Sequence, residues 1–230
     1  MLTEPTLTTR HEDGWDVPLL VWRADRPLLA VSSAPLGGGI GVRDWVVNAT
    51  VPMSYHRDDP AGHLAELAGR LGLDGPGVGL LTGVDVAEVI ARTDTGVRVW
   101  ATVGLGTPLQ AAEPAPAEPA PAEPAPARAG TRVGTVNIVV QVPARLGDAA
   151  LVNAVATVTE AKVQAIRELG LAATGTPTDA VTVLCPVDGA PAAYGGPRST
   201  WGAPLARAVH AAVLAGGAGL VVPWSQGRTA

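Results

Sequence analysis

Several residue types are scarce in this sequence, and each scarcity removes a class of protein. Among the 230 residues there is a single cysteine, Cys185, which excludes an internal disulfide framework and favours a reducing compartment. Residues 1–13 contain no apolar run of the kind that a secretory signal needs, and the longest nearly apolar stretch, residues 211–222, is too short to span a membrane. We therefore expect a cytoplasmic protein with no membrane partner.

Positive charge is also scarce and is never clustered. The formal net charge is -5 and no basic run occurs, which argues against a nucleic-acid partner. Hydrophobic residues make up 47% of the chain, enough for one sizeable core. The sequence leaves the oligomeric state open and is compatible with a homo-oligomer. Of the 16 basic residues only one, Lys162, is a lysine, so it stands out in a chain that otherwise uses arginine.

Proline is concentrated in one segment. Residues 112–126 repeat Ala-Glu-Pro-Ala-Pro three times. Proline at this density prevents helical and sheet hydrogen bonding, so the segment is predicted to be a disordered spacer. The part of the chain after the spacer would make a thin domain by itself. We therefore predict a single domain over residues 1–230, with residues 109–127 as a low-complexity insertion within it.

Hydrophobic patterns predict an α/β fold with a mixed β-sheet covered by helices. Short apolar runs without long helices precede the spacer, which indicates antiparallel strands, whereas strand and helix alternate after it, which indicates parallel βαβ units. The predicted strands cover residues 17–22, 28–33, 42–51, 78–84, 97–103, 135–142 and 181–187. The predicted helices follow Asp59, run from Asp148 to Gly170, and end near Leu214.

Lys162 falls on the apolar stripe of the long predicted helix. On a wheel of 3.6 residues per turn it lies among Leu151, Val155, Val158 and Ile166. Three interpretations remain open: an ammonium that reaches solvent at an edge, a structural ion pair, or a site residue. If an amine is required, we expect it to meet a carboxylate, first of all Asp179, or to face a cleft near Thr176 and Thr178.

Other polar residues are also candidates for a functional site, but the sequence signals that mark them are less specific. Glu160 and Asn153 lie on the opposite, polar side of the long helix, two turns apart. Residues 174–179 offer hydroxyls, a glycine and a carboxylate, although a turn that caps its own backbone explains them equally well. Ser32 and Ser33 end a predicted strand, and Asn48 interrupts another.

The histidines are not arranged as metal ligands. His11, His56, His63 and His210 form no His-x-His or His-Glu-x-x-His pair, so we predict neither a metal site nor a cofactor. Cys185 lies in an apolar run, where a cysteine is usually a small core residue.

Four segments in the second half, in this order and spacing, resemble the adenosylcobinamide amidohydrolase family. They are residues 134–138, 149–153, 159–162 and 174–180. The first half agrees at residues 32–34, 48–52, 59–60, 79–82 and 102–105. The family pattern continues with an asparagine after residues 104–105, whereas this chain continues with Gly-Thr-Pro and then the spacer. The spacer therefore marks an insertion point.

The resemblance implies hydrolysis of the amide that joins aminopropanol to the corrin ring of adenosylcobinamide, giving adenosylcobyric acid. The substrate would be a corrinoid, whose cobalt belongs to the substrate. The reaction needs a base for water, or a nucleophile, and donors for the developing oxyanion. Glu160 or Asp179 is the expected base, with Lys162 as a donor. Expected substrate contacts are Ser32, Ser33, Asn48, Asn137, Asn153, Thr176 and Thr178. The alternatives are a corrinoid-binding protein without catalysis and an amidase of another specificity.

Overall fold

The fold is built on one mixed β-sheet that includes strands from both sides of the repeat. The computed structural model describes residues 1–12, 14–114, 134–219 and 224. In these residues the strands are β1 (Thr6–Glu12), β2 (Trp15–Ser32), β3 (Gly39–Thr50), β4 (Gly77–Thr82), β5 (Ile90–Asp94), β6 (Val97–Leu105), β7 (Gly134–Gln141) and β8 (Ala180–Pro186). The helices are α1 (Pro60–Arg70), α2 (Asp148–Glu168) and α3 (Gly202–Gly217). The predicted α/β class and mixed sheet are confirmed.

The order of strands in the sheet is β4-β3-β2-β8-β7-β6-β5, with β1 paired to β2. The pairs β3–β4 and β7–β8 are parallel, and the other neighbours are antiparallel. The two strands predicted before residue 34 form the single 18-residue strand β2, whose register with β3 shifts between Arg23 and Leu28. The first half of β2 borders β1 and the second half borders β8.

The sheet curves so strongly that β3 faces β7. These strands are three positions apart, which would separate them by about 14 Å in a flat sheet. Yet the Asn137 amide nitrogen lies 2.9 Å from Oδ1 of Asn48 and 2.9 Å from the Leu81 carbonyl of β4. The concave side holds a core that includes Trp22, Trp100 and Leu184.

Helices cover the convex side of the sheet. Helices α2 and α3 pack over β6, β7 and β8, and the apolar stripe of α2 is buried there as expected. Helix α1 covers β2–β4 through residues such as Leu67. The predicted helix starts need small corrections. Asp148 is the first residue of α2 rather than its cap, and Asp59 precedes α1 without a capping hydrogen bond. The Ser199 hydroxyl accepts a hydrogen bond from the Gly202 N–H at the start of α3.

The repeat belongs to the connection between β6 and β7. These strands pair from Arg98–Gln141 to Leu105–Gly134, so the chain leaves and re-enters the sheet at adjacent positions. Residues 115–126 of the repeat lie outside the described residues. Across the described ranges, no helix combines the length and apolar character that a membrane crossing needs.

Candidate functional site

The lysine of α2 is buried and paired. Its side chain is 9% exposed, and the Lys162 ammonium contacts the carboxylate of Asp179, 17 residues later. The expectation that the ammonium meets Asp179 is confirmed, and the interpretation that it escapes to solvent is wrong. An ion pair with so little exposure is costly to desolvate, and such pairs add little stability compared with apolar side chains. This cost favours a role beyond stability.

Asp179 is surrounded by hydrogen-bond donors. Besides the Lys162 ammonium, its oxygens accept hydrogen bonds from the Thr176 hydroxyl, the Thr176 N–H at 3.1 Å and the Val136 N–H at 2.9 Å. These contacts join α2, the loop before β8 and the start of β7. These four hydrogen bonds hold the carboxylate in one orientation and occupy both of its oxygens. Its geometry suits a group that orients Lys162.

A larger residue in place of Gly175 would displace this pair. A Cβ atom on Gly175 would lie 2.6 Å from the Lys162 Nζ and would also overlap the Asp179 carboxylate. The backbone of the loop therefore lies directly against the ion pair. This close approach explains the glycine within the Thr-Gly-Thr-Pro-Thr-Asp segment without any unusual backbone angle.

Two further hydroxyls lie at the start of β7. Thr135 and Thr178 oxygens are 2.6 Å apart, and both lie within hydrogen-bond distance of the Gly134 carbonyl. Thr135 was not among the predicted site residues. Its alternation with Asn137 along β7, which places both side chains on one face, was the signal that could have found it.

The concave side of the sheet carries an amide network next to these hydroxyls. Asn137 donates to Asn48 and to the Leu81 carbonyl, and Asn48 donates to the Thr102 hydroxyl at 3.1 Å. The direction of these bonds fixes the Asn137 amide. Within the part of the chain that the structure describes, its Oδ1 has no partner, although the residue is 1% exposed. A buried acceptor without a donor costs about 1–3 kcal/mol.

The two serines lie at the neighbouring strand β8. The Ser32 hydroxyl is 2.8 Å from that of Thr182, and the Ser33 hydroxyl accepts from the Val181 N–H at 3.0 Å. Strand β8 starts opposite Asn137, which pairs with Ala180. Ser32, Ser33, Asn48, Asn137, Thr176 and Thr178 are thus linked through the first residues of β7 and β8.

Glu160 and Asn153 lie elsewhere. Both are exposed on the far side of α2, and Glu160 lines an open groove of about 250 Å³ between α2 and α3. This placement agrees with the expectation that Glu160 and Lys162 point in opposite directions. It separates Glu160 from the Lys162–Asp179 pair.

Comparison with known proteins decides the family. The family model described as adenosylcobinamide amidohydrolase matches residues 4–219. This chain belongs to that family. A protein of Methanosarcina mazei named adenosylcobinamide amidohydrolase is 30% identical over 151 residues. That alignment spans 66% of this chain and 66% of the relative's length.

The match of the adenosylcobinamide amidohydrolase family covers both halves of the curved sheet. Asn48 and Ser32 come from before the repeat and Lys162 and Asp179 from after it, and all lie inside residues 4–219. The candidate site therefore draws its residues from both sides of the repeat and depends on the fold of the whole sheet.

Cys185 lies in the core, as expected from its apolar run. Burial raises the pKa of its thiol, which keeps it protonated, and its Sγ lies 3.4 Å from the Leu146 N–H. In the described ranges no three His, Cys, Asp or Glu side chains are grouped as metal ligands would be.

Proposed function

We propose that this chain hydrolyses the amide between aminopropanol and the corrin ring of adenosylcobinamide, releasing adenosylcobyric acid. Family membership supports the reaction class. The observation that carries the proposal is the pairing of the chain's one lysine with Asp179, because it holds a buried cation beside the threonine-containing loop that precedes β8. Such a preorganised donor is what the transition state of amide hydrolysis requires.

Lys162 is the proposed donor to the oxyanion. Water adds to the amide carbon, and negative charge develops on the former carbonyl oxygen. The ammonium carries three N–H groups, and the described residues offer it one acceptor, Asp179. Its other N–H groups are available to the oxyanion. One proton of the water passes to the amide nitrogen, the C–N bond breaks, and the products are the corrin carboxylic acid and aminopropanol.

Asp179 is the proposed orienting group rather than the base. Its oxygens already accept hydrogen bonds from Lys162, Thr176 and Val136, which leaves little room for a water molecule to bind there. Glu160, the other expected base, lies on the far side of α2. We leave Glu160 and Asn153 out of the proposed site for this reason.

Polar groups on the concave side are the proposed substrate contacts. The free Oδ1 of Asn137 can accept one N–H or O–H from the substrate. Thr176 and Thr178 contribute hydroxyls at the loop, and Ser32, Ser33 and Asn48 complete the polar surface around the start of β8. The one cysteine is unpaired and buried, which supports our further proposal that the enzyme works in the cytoplasm. We also propose that it works as a single domain, because strands from both sides of the repeat share one sheet.

Mass spectrometry tests this function directly. Purified protein is incubated with adenosylcobinamide, with and without a chelator, and adenosylcobyric acid and aminopropanol are measured. We expect both products in equal amounts in either condition. Binding of the corrinoid without release of aminopropanol would favour the non-catalytic alternative, and turnover of simple amides would favour a general amidase. Activity that returns only on adding a divalent ion would contradict the metal-free site.

A further inference from the structure

The connection between β6 and β7 is bonded to the loop that carries the site. Leu109 donates its N–H to the Gly175 carbonyl at 2.9 Å and accepts from the Thr174 N–H at 2.9 Å. Ala111 donates its N–H to the Thr174 hydroxyl oxygen at 2.9 Å. Residues 109–111 thus form a short bridge to the loop that precedes β8.

The bridge is hydrogen-bonded to Gly175, the residue that lies against the Lys162–Asp179 pair. Gly175 is buried, and a Cβ atom built on it would lie 2.6 Å from the Lys162 Nζ, so the backbone here lies close to the ammonium. Any displacement of the Gly175 peptide therefore changes the space in which the ammonium lies. Thr174 is half-buried and touches neither Lys162 nor Asp179 in the hydrogen bonds of the site.

The end of the β6–β7 connection is hydrogen-bonded to the last part of the loop that precedes β8. The Gly134 carbonyl accepts a hydrogen bond from Thr178 at 3.1 Å. The loop is consequently held at Thr174–Gly175 by the start of the β6–β7 connection and at Thr178 by its end. A turn that only capped its own backbone would need neither contact.

We propose that Thr174 is a positioning residue, which holds Gly175 against the Lys162–Asp179 pair through Ala111. The inference rests on the proposed function for its catalytic consequence, but the position of the Lys162 ammonium is measurable without substrate. The hydroxyl oxygen of Thr174 serves as the acceptor that fixes residues 109–111 to the loop.

The test uses the fact that Lys162 is the only lysine. The full chain is treated with an amine-reactive reagent under native conditions, and labelling of Lys162 is followed by peptide mass spectrometry against the amino terminus as internal reference. Thr174→Val keeps the shape and removes the acceptor, whereas Thr174→Ser keeps the hydroxyl. Thr159→Val is the matched control, because among the described residues that hydroxyl bonds only to the Val155 carbonyl of its own helix.

Thr174→Val should raise the labelling rate of Lys162 by about fivefold, the factor that one neutral hydrogen bond contributes. It should lower kcat by a similar factor with KM retained, and Thr174→Ser and Thr159→Val should match the wild type in both. Equal labelling in Thr174→Val and wild type would overturn the inference. A lack of turnover in the wild type would overturn the proposed function and leave the labelling result intact.

A second variant covers the case in which Thr174→Val fails to fold. Ala111→Pro removes the donating N–H from the other side of the same hydrogen bond, at an exposed position next to a proline-rich segment. Ala111→Ser, which keeps the N–H, is its control. Ala111→Pro should accelerate labelling of Lys162 as Thr174→Val does, and labelling equal to that of Ala111→Ser would contradict the proposal.

Discussion

At the scale of single residues, the unusual chemistry of the chain is concentrated at Lys162. The sequence already singles it out, because it is the one lysine and lies on an apolar stripe. The structure adds the reason why it can be buried there: Asp179 neutralises it, and Thr176 and the Val136 N–H stabilise the carboxylate in turn. Substitution of either Lys162 or Asp179 should therefore destabilise the other charge.

Asp179→Asn tests this dependence. The change keeps the shape of the side chain but leaves a buried ammonium without its counter-charge, and breaking a buried pair costs about 3–5 kcal/mol. We expect a loss of that size in the free energy of unfolding, measured with urea. Asp188→Asn, at an exposed position, should change it by less than about 0.5 kcal/mol. A loss no larger than that of the control would show that the pair does not stabilise the site.

A second titratable residue, His63 of α1, should make stability depend on pH. Its Nε2 lies 3.0 Å from Glu12 and its ring stacks on Tyr55, yet burial dominates and lowers the pKa of His63 from its usual value of 6.5. The unfolded chain therefore binds a proton more readily than the folded chain. Stability is fully present above pH 6.5 and falls as the pH drops through the lowered pKa.

Unfolding measurements between pH 7 and pH 5 check this direction. The free energy of unfolding should decline with a slope of up to about 1.4 kcal/mol per pH unit for one proton. His63→Gln should flatten the decline, whereas His56→Gln, at an exposed position, should not. A steeper decline in His63→Gln than in the wild type would mean that Glu12 stabilises a charged His63.

At the scale of secondary-structure elements, the sequence predicted the buried strands and missed the exposed ones. Strands such as β7 and β8 are buried on both sides, so they are continuous apolar runs that a sequence reveals. Strands β1 and β5 are largely exposed and carry mostly polar residues, so no such pattern marks them. The bend in β2 was predicted as a gap between two strands because residues 23–27 are polar or proline-rich in the middle of an apolar run.

The repeat should be dispensable for the fold. Strands β6 and β7 pair along their full length on either side of it, and Leu105 is already opposite Gly134. Closing a shorter loop changes the entropy only slightly, by about 0.6 kcal/mol for each halving of length. Deletion of residues 112–126 should therefore leave the melting temperature nearly unchanged in calorimetry. A large decrease would show that the repeat contributes packing to the domain.

At the scale of the whole molecule, the curvature of the sheet creates the site. Asn48 and Asn137 are 89 residues apart in sequence and meet because β3 and β7 face each other across the concave side. Local patterns predict which segments form strands but not the order in which distant strands pair. The sequence therefore predicted several polar residues of the candidate site, while their assembly, and the separation of Glu160 from them, required the fold.

The central claim is that the paired lysine stabilises the transition state of amide hydrolysis. Lys162→Met keeps the length and apolar stem of the side chain but removes the charge. Gln164→Met, an exposed change on the same helix, is the matched control. Steady-state hydrolysis of adenosylcobinamide by the two variants and the wild type compares their kcat/KM, with circular dichroism to confirm that each is folded.

We expect kcat/KM to fall by about tenfold or more in Lys162→Met and to remain at the wild-type value in Gln164→Met, because an interaction made in the transition state is lost in the first variant alone. A folded Lys162→Met protein with wild-type turnover would contradict the account.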